Sequence, residues 1–207
     1  MTWEGFNRFT NRMIELIYIN LLWILFTILG LVIFGLFPAT VAMFTIIRKR
    51  IIEDDSSKIF QTFWQTYRKE FIKTNGFALI FYSVTYFLYY DFLFLQMNEG
   101  KLQFLYPVLI LIFLSSFMCL LFFFPVYVHF DLKFFQYFKQ SFLIALTSPI
   151  EIIGMALCGV GIYVVVSIFP GMIPLFPGSI YALLSITLSF RAFTRIANRK
   201  TAISEAN

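Results

Sequence analysis

Residues 20–50 read NLLWILFTILGLVIFGLFPATVAMFTIIRKR, and no charged residue occurs between Glu15 and Arg48, a run of 32 positions. As one helix such a run would be about 48 Å long at about 1.5 Å per residue. A bilayer's hydrocarbon core is about 30 Å thick and takes about 20 residues. The run is too long for one crossing and too short for two. Gly30, Gly35 and Pro38 are the breakers inside it, and Pro38 suits the first turn of a new helix. Residues 13–47 are therefore expected to form a re-entrant or strongly tilted hairpin, with a break near those residues and a short returning arm from Ala39 to Ile47. The rival reading is one kinked span with Pro38 near its cytoplasmic end.

The rest of the chain has the same character. Of 207 residues, 60% are hydrophobic, 21% aromatic and 13% charged, against about 25% charge in a soluble domain. A soluble fold of this size cannot hide so much apolar surface, so lipid is the expected solvent. Further spans are expected at 77–97, 102–128, 149–169 and 172–190, joined by a tight turn at 98–101, an amphipathic gap at 129–148 and a Pro/Gly connector at 170–178. The expected architecture is a single all-α, polytopic transmembrane helical bundle. It has five full spans, or four plus the N-terminal hairpin, with amphipathic cytoplasmic interfacial helices and a cytoplasmic tail at 191–207. No cleavable signal peptide is evident, since the first apolar run exceeds a usual h-region.

Orientation follows from the basic residues. With the hairpin, 15 of the 16 lysines and arginines fall on one side and Lys101 falls opposite. With one kinked span, Arg8 and Arg12 join Lys101. The positive-inside rule makes the basic side cytoplasmic. The net charge of +5 thus reads as orientation and anionic-lipid contact rather than nucleic-acid binding.

The segment at 48–75 carries Phe60, Phe63, Trp64, Tyr67 and Phe71 at i, i+3, i+4, i+7 and i+11, one face of a helix, with Gln61, Gln65, Arg68 and Lys69 off it. Phe135 and Phe138, with Phe134 and Phe142, repeat the pattern against Lys133, Gln136, Lys139 and Gln140. Such helices lie in the headgroup layer. They either cap the bundle or offer an interfacial docking face formed by Phe60, Phe63, Trp64, Tyr67, Phe135 and Phe138. Trp3, Phe6, Phe9 and Met13 give a weaker version. FQTFWQT (60–66) and FQYFKQS (135–141) share four of seven positions, and a Phe-Pro pair precedes each, so either a decayed duplication or coincidence in a Phe-rich chain is in play.

Few residues offer chemistry. Asp91, inside YFLYYDFLF, is either a substrate or ion site, with hydrogen bonds from Tyr86, Tyr89 and Tyr90, or a polar contact at the outer interface. Asn20 and Thr27 are candidates for interhelical hydrogen bonds. Ser148-Pro149-Ile150-Glu151 matches a capping box with proline at the first helical position. His129, beside Asp131 and Lys133, reads as an interfacial polar group. Arg191, Arg195 and Arg199 form a stripe suited to lipid phosphates. Cys119 and Cys158 lie in apolar runs and read as packing residues. The sequence has no P-loop, no paired Cys/His metal spacing and no nucleophile elbow, so neither a catalytic residue nor a cofactor is expected.

NLLW (20–23), the Gly30…Gly35 pair, FPAT with Ala42, RKR (48–50), the pattern of Phe60, Phe63 and Trp64, and FPVYVHFD (124–131) together resemble the YesL-like family of bacterial integral membrane proteins. The resemblance covers essentially the whole chain. It implies a Gram-positive cell membrane and no catalytic residues. The family's genes often lie beside carbohydrate ABC-transporter and polysaccharide-degradation genes, which implies an accessory role in sugar uptake or sensing, with a permease or membrane sensor as partner. The alternative is a small-solute transporter or channel with Asp91 and Asn20 lining the path.

Overall fold

The computed structural model describes residues 3–53, 58–97 and 102–205. Among them there are seven α-helices and no strand: α1 (Trp3–Leu29), α2 (Ile33–Arg48), α3 (Ile59–Met97), α4 (Tyr106–His129), α5 (Phe134–Thr147), α6 (Pro149–Ile168) and α7 (Pro177–Glu205). Five stretches are long and apolar enough to cross a membrane: Thr10–Leu29, Ile59–Met97, Tyr106–His129, Pro149–Ile168 and Pro177–Asn198. The protein is an all-α polytopic bundle, the arrangement in which each spanning segment satisfies its own backbone in lipid.

The opening stretch doubles back. Trp23 Nε1 donates to Thr40 Oγ1 at 3.0 Å, and Arg50 pairs with Glu15 at 3.5 Å, so the arms run antiparallel. The bend closes on its own backbone. Gly30 N–H donates to the Phe26 carbonyl, Val32 N–H to that of Thr27, and Ile33 N–H to that of Leu31 at 2.7 Å. Leu31 and Val32 have φ of 57° and 64°, a left-handed backbone that side chains of this kind rarely adopt. The break therefore falls at Gly30–Val32 rather than at Pro38. Pro38 lies inside α2. The returning arm is 16 residues long, about 24 Å, rather than the nine residues expected. Gly30 opens the break, Gly35 lies inside α2, and both let the arms touch: a methyl group on Gly30 would meet the Gly35 backbone and, at 2.7 Å, the Tyr67 hydroxyl.

α3 clamps this bend. Tyr67 donates to the Phe26 carbonyl at 3.2 Å, and Tyr82 donates to the Ile33 carbonyl at 3.0 Å. These tyrosines stand 15 residues apart, about 22 Å of helix, yet both hydroxyls land within the turn 26–33. At 39 residues, α3 also merges two expected elements. The amphipathic segment and the 77–97 span are one continuous helix, because nothing between Ile59 and Met97 breaks it.

α4, α5 and α7 complete the core. Phe77 stacks on Phe134 with centroids 4.0 Å apart and meets Phe123, Tyr127, Tyr137 and Phe138. The two Phe-Pro pairs meet through Phe37 and Phe124, 5.4 Å apart. α6 begins at Pro149 and α7 at Pro177, where prolines suit a first helical turn.

Candidate functional site

Asn20 is fully buried at the junction of α1 with the connector before α7. Its Nδ2 donates to the carbonyls of Ile173 and Pro174 at 3.1 and 3.0 Å. Its Oδ1 accepts from the N–H groups of Gly178 and Ser179 at 3.1 and 3.3 Å. The first N–H groups of a helix have no partner within it. Here a side chain from another helix supplies one, while holding the Pro/Gly connector from the other side. All four hydrogen-bonding positions of the amide are used.

A second polar group gathers where the basic ends of α3, α4 and α5 meet. Tyr127 donates to Glu70 Oε2 at 2.6 Å. Lys73 Nζ sits 5.1 and 5.0 Å from the ring centres of Tyr127 and Tyr137 and donates to Tyr137 Oη at 3.4 Å. Tyr137 donates to the Phe130 carbonyl and accepts from Leu132 N–H. One ammonium held between two rings, with a carboxylate one helical turn away, ties three helices together. Sequence reasoning passed over Glu70 and Lys73; their i, i+3 spacing on a strongly basic stretch was the available signal. His129 stacks on Phe193 at 4.8 Å, against Phe130 and Phe190, a ring packed among aromatics.

At the start of α6 the capping box does not form, since Ser148 makes no side-chain cap. Arg195 from α7 takes both groups instead. Its Nη2 donates to Glu151 Oε2 at 3.0 Å and to Ser148 Oγ at 3.1 Å. The Glu151 side chain is 8% exposed and that of Arg195 35%. A carboxylate buried to that degree needs a cation, and α7 brings one. Arg195 thereby pairs with Glu151 across α6 and α7. Arg191 is exposed, and the side chain of Arg199 lies outside the described residues, as do those of Trp3, Phe6 and Phe9.

The six aromatic residues of the expected docking face divide. Phe63 and Tyr67 are buried and pack with Phe60 and Trp64 around Phe26. Phe138 packs on Phe77, Phe81 and Phe123. Phe60, Trp64 and Phe135 keep 52%, 45% and 76% of their surface exposed. Half of the face thus packs into the bundle, and Phe60, Trp64 and Phe135 remain on its surface. Asp91 is exposed on α3. Among the described residues no tyrosine hydroxyl reaches it: Tyr86 and Tyr90 pack on each other at 4.4 Å. The hydrogen bonds of Asn20 go to residues 173–179 and none involves Asp91. No group of three or more metal-ligating side chains occurs among the described residues. Cys119 and Cys158 are free thiols.

A concavity lies between α3 and α4, a slot of about 630 Å³ walled almost wholly by apolar atoms.

A family model described as a protein of unknown function, DUF624, matches residues 16–92. The uncharacterized protein YesL of Bacillus subtilis (strain 168) is 35% identical over 202 residues, covering 95% of this chain and 93% of its own. The chain belongs to the YesL-like, DUF624 family. YteU and YesV of the same organism, likewise named as uncharacterized, are each 31% identical, over 190 and 187 residues. They cover 91% and 89% of this chain, and 85% and 89% of their own. No solved structure matches. The DUF624 match takes in the hairpin, Asn20, both clamping tyrosines, and Glu70 with Lys73, and it ends at Phe92 on the rim of the α3–α4 slot.

Proposed function

We propose that this DUF624 protein is a non-catalytic, multi-pass component of the bacterial cell membrane that works by binding a membrane partner. The observation that carries this reading is where the polar groups are used. Asn20, Glu70, Lys73, Tyr67, Tyr82, Glu151 and Arg195 each tie one helix to another, while large apolar and aromatic side chains face outward. Such a molecule offers many contacts and few reactive groups. The partner we propose is a permease or sensor of carbohydrate uptake, met through the exposed Phe60, Trp64 and Phe135 at the basic, cytoplasmic side.

The test pairs two measurements. A photo-crosslinking residue at Trp64 or Phe135 is expected to capture a permease or sensor subunit in native membranes, while purified protein in liposomes moves no sugar or ion. Replacing Asp91 by Asn is expected to leave capture unchanged. Solute flux in liposomes that Asp91→Asn abolishes would overturn the reading in favour of a transporter.

A further inference from the structure

We infer that the α6–α7 connector, residues 169–176, is a lipid-contacting segment. It lies immersed in the leaflet away from Arg191 and Arg195, with phospholipid rather than water over it. Helix length gives the first argument. The Glu151–Arg195 pair and the exposed Arg191 mark the charged end of α6 and α7. From Glu151 to Ile168 α6 rises about 26 Å, and from Arg191 back to Pro177 α7 rises about 21 Å. The hydrocarbon core is about 30 Å thick, and tilt shortens a helix's reach further. Both helices thus stop about 4–9 Å short of the far boundary, and the connector takes up that depth. Its composition agrees. Residues 169–176 read FPGMIPLF, without a charge, and Phe169 and Ile173 keep 61% and 48% of their surface exposed. The turn at 98–101, which joins α3 to α4 on the same side, reads NEGK and carries two charges.

The backbone gives the second argument. Irregular backbone is excluded from lipid because its N–H and C=O groups go unpaired there, whereas a loop in water leaves them to solvent. This connector pairs them inside the protein. Pro170, Pro174 and Pro177 bring no N–H. Phe169 N–H donates to the Val165 carbonyl, Met172 N–H to that of Phe169, Ile173 N–H to that of Pro170, and Leu175 N–H to that of Met172. Ser179 Oγ and Ile180 N–H both donate to the Phe176 carbonyl. Asn20 supplies what these turns cannot: partners for the Ile173 and Pro174 carbonyls and for the N–H groups of Gly178 and Ser179. A wholly buried amide from α1 is spent on groups that water would serve if the connector stood outside the membrane. Apolar side chains outward and paired backbone inward is the arrangement a lipid surrounding demands.

The test places a nitroxide on single cysteines at Phe169→Cys and Ile173→Cys, in the full chain with Cys119→Ala and Cys158→Ala, in phosphatidylglycerol vesicles. Collisions with oxygen, which concentrates in lipid, are compared with those of a nickel chelate that stays in water. Tyr163→Cys, on an exposed face of α6, is the lipid reference, and Lys101→Cys is the water reference. The oxygen-to-nickel ratio at 169 and 173 is expected to match that at 163 and to exceed that at 101 by roughly tenfold or more, since a polar complex is excluded from hydrocarbon. Frequent nickel collisions at 169 and 173 would put the connector in water. Few collisions with either reagent would put it under a second copy of the chain. Either result overturns the inference.

Discussion

Asn20 shows what one side chain can do in a dry bundle. A polar residue in an apolar run stands out in the sequence, and its role in joining helices was readable from its type alone. Its partners at 173–179 were not, because they lie more than 150 residues away. Replacing Asn20 by Leu keeps the volume and strands two N–H groups and two carbonyls, so a loss of about 2–4 kcal/mol is expected. Thermal unfolding in detergent measures it, and a change under about 0.5 kcal/mol would refute the cap. Glu151 teaches the reverse lesson. Its spacing from Ser148 fitted a local cap, yet a cation from α7 outcompeted the local hydrogen bonds. Arg195→Met should therefore cost about 1–3 kcal/mol, tempered by the partial exposure of the guanidinium. Adding Glu151→Gln should recover part of that loss, because the buried carboxylate no longer lacks its cation. Two costs that simply add in the double variant would show the pair to be uncoupled.

The hairpin is where element-scale reasoning from length succeeded and reasoning from residue type fell short. A charge-free run of 32 residues fits a fold-back better than a span. Gly30 does open the turn, but weighing Gly35 and Pro38 as breakers beside it started the returning arm too late, at Ala39 rather than Ile33. The residues that turn are Leu31 and Val32, held in a left-handed backbone by the hydroxyls of Tyr67 and Tyr82 on a helix that local propensity cannot see. The Ile33-to-Leu31 hydrogen bond at 2.7 Å closes a γ-turn on Val32, a strained conformation for a β-branched residue. Val32→Gly should relieve about 1–2 kcal/mol of strain against a glycine entropy cost of about 0.5–1 kcal/mol. A net gain of roughly 0.5–1 kcal/mol follows, or about 1–4 °C in the midpoint of a domain this size. Gly35→Ala has the opposite sign, because its methyl group would lie 2.8 Å from the Phe26 carbonyl and against Thr27. Overpacking of this kind costs about 1–3 kcal/mol. Thermal midpoints of the two variants moving in the same direction would contradict this bend.

At the scale of the whole molecule, the folded-back arms decide where the N-terminus lies. Glu15 pairs with Arg50, so residues near the start of the apolar run end up beside the RKR cluster that follows it. An N-terminus on the same side as residues 58–73 and the tail puts 15 of 16 basic residues there, the asymmetry that orients a membrane protein. Single cysteines at Asn11, Lys101 and Asn198, in a Cys119→Ala/Cys158→Ala background, test this directly with a membrane-impermeant maleimide on intact cells. The cysteine at 101 is expected to react, and those at 11 and 198 only after the membrane is opened. Labelling at 11 from outside would mean that α1 enters from the outer face with Arg8 and Arg12 left there. The Glu15–Arg50 pair would then have to bring the basic cluster toward that same face. The positive-inside argument and the antiparallel hairpin cannot both survive that outcome, so this one reagent tests the charge reading and the packing reading together.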